Sequence, residues 1–234
     1  MRAMRGLAAA IFGGACYLCR GAARALLCPA CAADLPRIGG GRCPRCALAS
    51  PGGAVCGRCL ARPPAYDAAV AALEYRFPAD VLVQQLKFAG ELALAPLLGE
   101  LLAAAVAAGG APRPDCVVPV PLARSRLVAR GCNQAMEIAR AAARALAVPV
   151  RPELCERVRE TPAQVDLPLA RRAANVRGAF ACPGLAAGLS IAVVDDVMTS
   201  GATLDEIART LKAAGAARVV SWVVARTPPP GEPT

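Results

Sequence analysis

The stretch Ile191-Ala-Val-Val-Asp-Asp-Val-Met-Thr-Ser-Gly-Ala-Thr203 decides how this chain is read. Its first four residues are β-branched or small and predict a buried parallel strand. Asp195 and Asp196 follow at the carboxyl end of that strand, where open α/β sheets place their ligands. Thr199, Ser200, Gly201, Ala202 and Thr203 supply hydroxyls and backbone N–H groups that can wrap a phosphate. Gly201 lacks the Cβ that would hold an anion at a distance. A helix expected over residues 203–214 aims the positive end of its dipole at the same anion. Two carboxylates beside a phosphate cradle suit a phosphorylated pentose, whose hydroxyls donate to the acids. An ordinary strand–turn–helix with a surface Asp-Asp is the competing reading, and the thirteen-residue pattern as a whole argues against it. No Gly-Lys-Ser/Thr follows, so this is not a Walker loop.

Outward from this stretch, strands alternate with helices. Strands are expected at 66–75, 115–118, 148–151 and 217–224, and helices near 79–86, 91–108 and 133–146. Lys87-Phe-Ala-Gly90 reads as a turn. Pro119-Val120-Pro121 forbids helix and regular pairing, which gives a rigid, specially shaped loop after the strand at 115–118. Residues 154–159 form a further short segment before a polar loop at 160–167 and an arginine-rich helix start. The alternation makes residues 63–227 a doubly wound, mostly parallel α/β domain. Residues 61–65, Ala-Arg-Pro-Pro-Ala, read as a linker into it. Residues 228–234 are expected to be a disordered tail.

Residues 1–62 are of a different kind. Eight of the twelve cysteines fall there as four Cys-x-x-Cys pairs: Cys16/Cys19, Cys28/Cys31, Cys43/Cys46 and Cys56/Cys59. Two intervening residues let both sulfurs reach one tetrahedral ion from a single tight turn, so four pairs make two Cys₄ zinc sites. Sequential sharing, first pair with second and third with fourth, is the preferred assignment. A redox motif would be a single pair beside a βαβ unit, and a disulfide framework would need an oxidising compartment. Closed four-cysteine sites leave no position for a water, so the zinc is read as structural. A segment this poor in large apolar side chains needs the metal to fold. Cys116, Cys132, Cys155 and Cys182 lack such spacing and read as small buried hydrophobes.

Charge is divided unevenly. Nine arginines stand against one acid, Asp34, in residues 1–62, which hold most of the formal +10. Such a segment suggests nucleic acid or an acidic partner. Two thiolate zinc sites, each of about −2, would offset half of that excess. Aromatic residues are only 3%, which predicts an aliphatic core, and the absence of histidine excludes His-based acid–base catalysis and His metal ligation. Arg2 and Arg5 precede an apolar run at 6–15 that superficially resembles a short leader. Gly13 rather than a large aliphatic residue lies three before Cys16, so a short helix packed on the metal domain is expected instead. The run at 92–108 contains Pro96 and Glu100 and reads as a buried helix rather than a membrane span. The expectation is a cytoplasmic protein without a membrane span.

With these pieces placed, the chain from Cys16 to about Ala225 resembles the ComF/GntX-type phosphoribosyltransferase family, a double zinc ribbon followed by a type I phosphoribosyltransferase domain. The residues that carry the resemblance are the loop at 191–203, Lys87-Phe-Ala-Gly90, Asp115-Cys-Val-Val-Pro-Val-Pro121 and Arg130-Gly-Cys-Asn-Gln134. To these it adds Arg157-Val-Arg-Glu-Thr161 with Gln164, Leu167, Arg172-Ala-Ala-Asn175 and Phe180. Cys132 stands where the family has an aromatic residue. The resemblance implies binding of the magnesium complex of phosphoribosyl pyrophosphate, with zinc and Mg²⁺ as the metals. It also implies association with competence and uptake of single-stranded DNA, through the DNA itself or DNA-uptake proteins. By it, Asp195 and Asp196 hold the ribose hydroxyls and help place magnesium, while Thr199, Ser200, Gly201, Ala202 and Thr203 anchor the 5-phosphate. Lys87 and Pro119, Val120 and Pro121 approach the pyrophosphate, with Arg130 as a further contact. The acceptor of the pentose is left open. A non-catalytic module for nucleic-acid handling or protein docking, using the fold as a sugar-phosphate sensor, is the alternative.

Overall fold

A computed structural model describes residues 14–162 and 168–229. The cysteine-rich segment comes first. Strands β1 (Gly14–Ala15) and β2 (Ala22–Ala23) pair antiparallel. The one-turn helices α1 (Pro29–Ala33) and α2 (Gly57–Ala61) each begin just after a cysteine, Cys28 and Cys56 respectively. Each therefore carries the second cysteine of its pair, Cys31 or Cys59, one turn away from the first.

The larger part runs β3 (Ala68–Glu74), α3 (Ala79–Phe88), α4 (Leu94–Ala108), β4 (Cys116–Pro119), α5 (Arg124–Arg130) and α6 (Gln134–Leu146). It continues with β5 (Glu156–Arg157), α7 (Leu169–Val176), β6 (Phe180–Ala181), β7 (Ser190–Met198), α8 (Ala202–Ala213) and β8 (Arg218–Arg226). Four strands form one sheet in the order β3-β8-β7-β4, and every pairing in it is parallel. Successive strand residues face opposite ways, and the core divides accordingly. Ala192 and Val194 of β7, with Val220, Trp222 and Val224 of β8, pack beneath Leu98, Leu102, Ile138 and Ala142 of α4 and α6. Ile191, Val193, Val219 and Val223 pack on the other face against Leu204, Ile207 and Leu211 of α8. Helices thus cover both faces of a parallel sheet, and the core is aliphatic as its composition requires.

The metal segment seals one edge of this sheet. Arg37 bridges Leu73 of β3 antiparallel, Ile38 N–H donates to Ala72 O at 2.9 Å, and Glu74 N–H donates to Pro36 O at 2.8 Å. An otherwise open edge strand is thereby paired.

Several expectations are corrected. The strand expected at 191–194 runs on to Met198, so both aspartates lie inside it. Lys87 and Phe88 belong to the last turn of α3, and the chain leaves the helix only at Ala89 and Gly90, whose φ is 68°. The strand expected at 148–151 reduces to one bridge, Val150 to Val117, because Pro149 and Pro152 flank it and cannot donate to a ladder. Residues 154–159 contribute β5, which leaves the main sheet and pairs antiparallel with β6 as a separate ribbon. Helix α5 was not anticipated, its sequence Arg-Ser-Arg-Leu-Val-Ala-Arg having no clear apolar period. The presumed linker is tied down, since Ala65 N–H donates to Asp205 Oδ1 at 2.5 Å. Of the four unpaired cysteines, Cys116 and Cys155 are buried as expected, whereas Cys132 and Cys182 are partly exposed. The short helix expected at 6–15 falls almost wholly outside the described residues, as do 163–167 of the polar loop and 230–234 of the tail. Among the described residues, no helix is long and apolar enough to cross a membrane.

Helices α4 and α6 meet at Gly99, where an added Cβ would stand 2.5 Å from Ala141 Cβ and 2.8 Å from Ile138 O. Gly99→Ala gains about 1 kcal/mol of helix propensity but overpacks a rigid contact at about 1–3 kcal/mol. Thermal denaturation is expected to show a net loss of stability; a raised midpoint would mean that the helices separate freely.

Candidate functional site

The register of β7 creates the site. On its β4 side the last paired residue is Val194, opposite Pro119, and Val120 N–H then donates to Val194 O at 2.9 Å before the chain turns away. On its β8 side pairing continues from Asp195 to Met198. Beyond Val194 one flank of β7 is therefore free, and a cleft of about 340 Å³ opens there, at the carboxyl ends of the strands.

Lys87, Val120, Pro121, Arg130, Asp195 and Asp196 line this cleft together with all of Thr199 to Thr203. Of the residues singled out in the sequence for this site, only Pro119 is absent from its walls: it is buried within β4. The alternation of β7 turns Asp196 toward the face that carries α4 and α6, where Lys87 at the end of α3 meets it. Lys87 Nζ lies 3.0 Å from Asp196 Oδ2 and 3.2 Å from Oδ1. Burial alone would lower the Lys87 pKa, but the two carboxylates outweigh it and the net shift is upward. Asp195 accepts a hydrogen bond from the Asp196 N–H at 2.9 Å. Its carboxyl is pushed up to about 7, first by burial and then by the charge of Asp196, with Lys87 pulling the other way.

Past Met198 the chain turns through Thr199 and Ser200 to Gly201, which has φ 81° and precedes the first turn of α8. A side chain there would be strained, and its Cβ would come 3.1 Å from Tyr66 Oη. Small size is needed at this position for the backbone and for the packing beneath it. Ser200 Oγ accepts from Ala202 N–H at 3.3 Å, which fixes the entry to α8.

The opposite wall is basic. Arg126, Arg130, Arg157 and Arg172 face the cleft. Arg130 lies over the ring of Phe88 at 5.5 Å and donates to Gln134 Oε1 at 3.3 Å. Arg157 lies over Phe180 at 5.2 Å and also reaches Thr161 Oγ1. Arg126 donates to Thr161 O at 3.0 Å, and the Glu160 carboxylate accepts from Ser125 N–H and Oγ. Residues 157–161 are thereby folded onto α5 at the rim. Asn133 caps α6 by accepting from Met136 N–H and donates to Val120 O at 3.1 Å, tying the proline loop to that helix.

Two residues important to the architecture were missed in the sequence. Tyr66 is buried beneath Gly201, and Arg226 is only 3% exposed with its guanidinium on the carbonyls of Met198 and Thr199. A charged residue closing the apolar strand 218–226 was the one available signal for Arg226.

The eight paired cysteines gather as expected. Cys16, Cys19, Cys28 and Cys31 form one cluster and Cys43, Cys46, Cys56 and Cys59 the other, with the sulfurs of each within 4.8 Å of one another. Cys19 and Cys28 Sγ are 3.7 Å apart and Cys46 and Cys56 Sγ 3.6 Å. Four thiolates at about 2.3 Å from a tetrahedral zinc stand about 3.8 Å apart, so both clusters fit the ion. The sharing of pairs is sequential.

A family model described as a double zinc ribbon domain matches residues 7–60. The DNA utilization protein YhgH of Salmonella typhi is 36% identical over 223 residues, which cover 92% of this chain and 97% of that protein. Competence protein F of Haemophilus influenzae is 33% identical over 181 residues, covering 73% and 78% respectively. Among solved structures, the glutamine phosphoribosylpyrophosphate amidotransferase from B. subtilis matches 55% of this chain and 25% of its own at 24% identity, with a TM-score of 0.38.

Two outcomes are expected from this geometry. The Cys₄ clusters should yield two equivalents of zinc per chain to a chromophoric chelator, and Cys43→Ser should yield one; two equivalents from that variant would contradict Cys43 as a zinc ligand. The second outcome concerns pH. Because the Asp195 pKa is raised, the folded state keeps a proton that the unfolded state releases between about pH 4 and pH 7. The contribution of Asp195 to native stability therefore falls as pH climbs through that window and levels off above it. Asp195→Asn removes the penalty, so its melting temperature at pH 8 should exceed that of the parent by about 2 °C or more, with no gain at pH 3. Parallel pH–stability curves would remove the burial argument.

Proposed function

We propose that this chain, which belongs to the ComF-type phosphoribosyltransferase family, binds the magnesium complex of phosphoribosyl pyrophosphate in the cleft beside β7 and transfers its pentose to an acceptor. The observation that carries this reading is that twin carboxylates, a hydroxyl- and glycine-containing turn, a lysine and several arginines line one cleft at the end of a parallel sheet. Asp195 and Asp196 accept hydrogen bonds from ribose hydroxyls. The N–H and hydroxyl groups of residues 199–203 grip the 5-phosphate at the start of α8, where the helix dipole also favours it. Lys87 and Arg130, with the backbone of Val120 and Pro121, face the pyrophosphate. Their fixed positive charge offsets the negative charge that builds on this leaving group as its bond to the ribose breaks. With no protein nucleophile required, catalysis rests on holding the donor in place and on preorganised charge.

Two carboxylates, one already paired with Lys87, form too small a donor set to cage a cation alone. They suit Mg²⁺ that arrives on the diphosphate and keeps its waters. Bound there, the ion would neutralise diphosphate charge, and Asp195 and Asp196 are the residues that would help hold it. Residues 1–62 form the zinc-ribbon unit, 63–227 the transferase unit and 228–234 a tail. The thiolate zinc sites suit a reducing cytoplasm. The relatives named for DNA utilization and competence support a role in DNA uptake, in which the arginine-rich ribbon meets single-stranded DNA or uptake proteins.

Titration calorimetry with Mg²⁺ and phosphoribosyl pyrophosphate tests the site. Each charged hydrogen bond is worth about 1.5–3 kcal/mol, so Asp195→Asn/Asp196→Asn should weaken binding by about a hundredfold or more while leaving the fold intact. Undiminished affinity in that variant would move the ligand elsewhere. Pyrophosphate release in an acceptor screen separates transfer from sensing: binding without turnover against any acceptor favours the sensor.

A further inference from the structure

Arg226 ends β8 almost wholly buried. Its Nη1 donates to Met198 O at 2.7 Å, Thr199 O at 2.6 Å and Thr227 O at 2.9 Å. Its Nε donates to Cys46 O at 2.8 Å. Met198 and Thr199 are the last residue of β7 and the first of the loop assigned above to the 5-phosphate. Cys46 is a ligand of the second Cys₄ cluster. One planar guanidinium thus spans the gap between a zinc knuckle and the root of the phosphate loop.

Other contacts run along the same line. Ala69 N–H donates to Pro44 O at 3.1 Å within the same knuckle. Tyr66 sits under Gly201, and Ala65 is hydrogen-bonded to Asp205 in the first turn of α8. The first cluster has a different neighbourhood. Cys16, Leu27 and Leu35 pack into the core under α3 and α4, and Tyr17 Oη reaches Gln85 at 3.3 Å, all away from the loop. The two zinc sites therefore differ in what they touch.

Charge strengthens the link. Among the described residues, no carboxylate lies within ion-pair distance of Arg226. A buried guanidinium needs hydrogen bonds and nearby negative charge. The carbonyls supply the first. Four thiolates on one Zn²⁺ supply the second, a net charge of about −2 next to Cys46. Loss of that ion loosens the knuckle and with it the Cys46 carbonyl that Arg226 holds, which weakens the grip of the same guanidinium on Met198 and Thr199.

We propose that Arg226 is a positioning residue that couples occupancy of the second zinc site, and not the first, to the grip of the 199–203 loop on the sugar phosphate. The proposal rests on the sugar-phosphate reading given above. Coupling of this kind is reciprocal: if zinc at the second site tightens ligand binding, ligand tightens zinc.

Zinc release from the full-length, zinc-loaded protein to a zinc-selective chromophoric chelator tests this directly, with and without saturating Mg²⁺ and phosphoribosyl pyrophosphate. The expected result is that ligand slows release of one zinc equivalent at least about threefold and leaves the other unchanged. Arg226→Lys keeps the charge but cannot span four carbonyls; it should bind both zinc ions, abolish the ligand-dependent protection and weaken ligand binding about tenfold or more. A purely structural arginine would lower the melting temperature without making protection of one zinc depend on ligand. Release of both ions at rates indifferent to ligand, or protection that survives in Arg226→Lys, overturns the coupling even where ligand binds normally. Absence of ligand binding by the parent protein in calorimetry instead overturns the sugar-phosphate reading and the coupling with it. The protection measurement on the parent protein needs no variant, so it decides the matter even if Arg226→Lys fails to fold.

Discussion

The site depends on a mismatch in strand length. Strand β4 gives up its pairing with β7 at Val194, while β8 stays with β7 as far as Met198. A parallel strand normally spends its backbone groups on two neighbours and its side chains on two cores. Over these last four residues β7 has one neighbour, so polar side chains can stand beside it without breaking a ladder. Asp195 and Asp196 occupy that stretch, and the cleft forms on the side that β4 vacates. Had β4 continued, the aspartates would have been central strand residues, which neither burial nor β propensity favours.

The surrounding elements hold that mismatch open. Pro119 ends the pairing, Val120 makes one last bond to Val194, and the Asn133 side chain anchors the departing loop to α6. Lys87 reaches Asp196 from the end of α3, a connection across 109 residues of sequence. The positive charges on the far wall lean on aromatic faces, Arg130 on Phe88 and Arg157 on Phe180. The rings therefore orient cations toward the cleft, and so few aromatics in the chain makes their placement here informative. The cost of burying Asp195, and then of holding a second acid beside it, is visible in its raised pKa, a destabilisation held in place by the rest of the fold.

The metal ribbons serve the same architecture. Residues 36–38 pair along β3 and close the sheet edge, and the second cluster lends its Cys46 carbonyl to Arg226. A segment with too few large side chains for its own core gains one by packing on its neighbour: Leu27 and Leu35 join the core beneath α3 and α4. Its arginines are partly spent on structure, as in the pair of Arg42 with Glu74 at 2.5 Å.

Local features of the sequence determined a good deal. The four Cys-x-x-Cys spacings fixed two metal sites, because a tight turn places both sulfurs whatever surrounds it. The run at 191–194 and the Thr-Ser-Gly-Ala-Thr turn fixed a strand, a sharp reversal and a helix start, because backbone preference and side-chain size act over a few residues. Tertiary structure alone decided the rest. Whether β7 stopped at Val194 or ran to Met198 depended on which neighbour it had at each residue. Whether residues 154–159 joined the main sheet depended on an available edge, and β6 offered one elsewhere. Arg226 carried no local pattern at all, since its four acceptors come from three stretches far apart in the chain. Contacts between residues distant in sequence leave no periodicity to read; only the folded chain brings a zinc knuckle, a strand end and a guanidinium to one point.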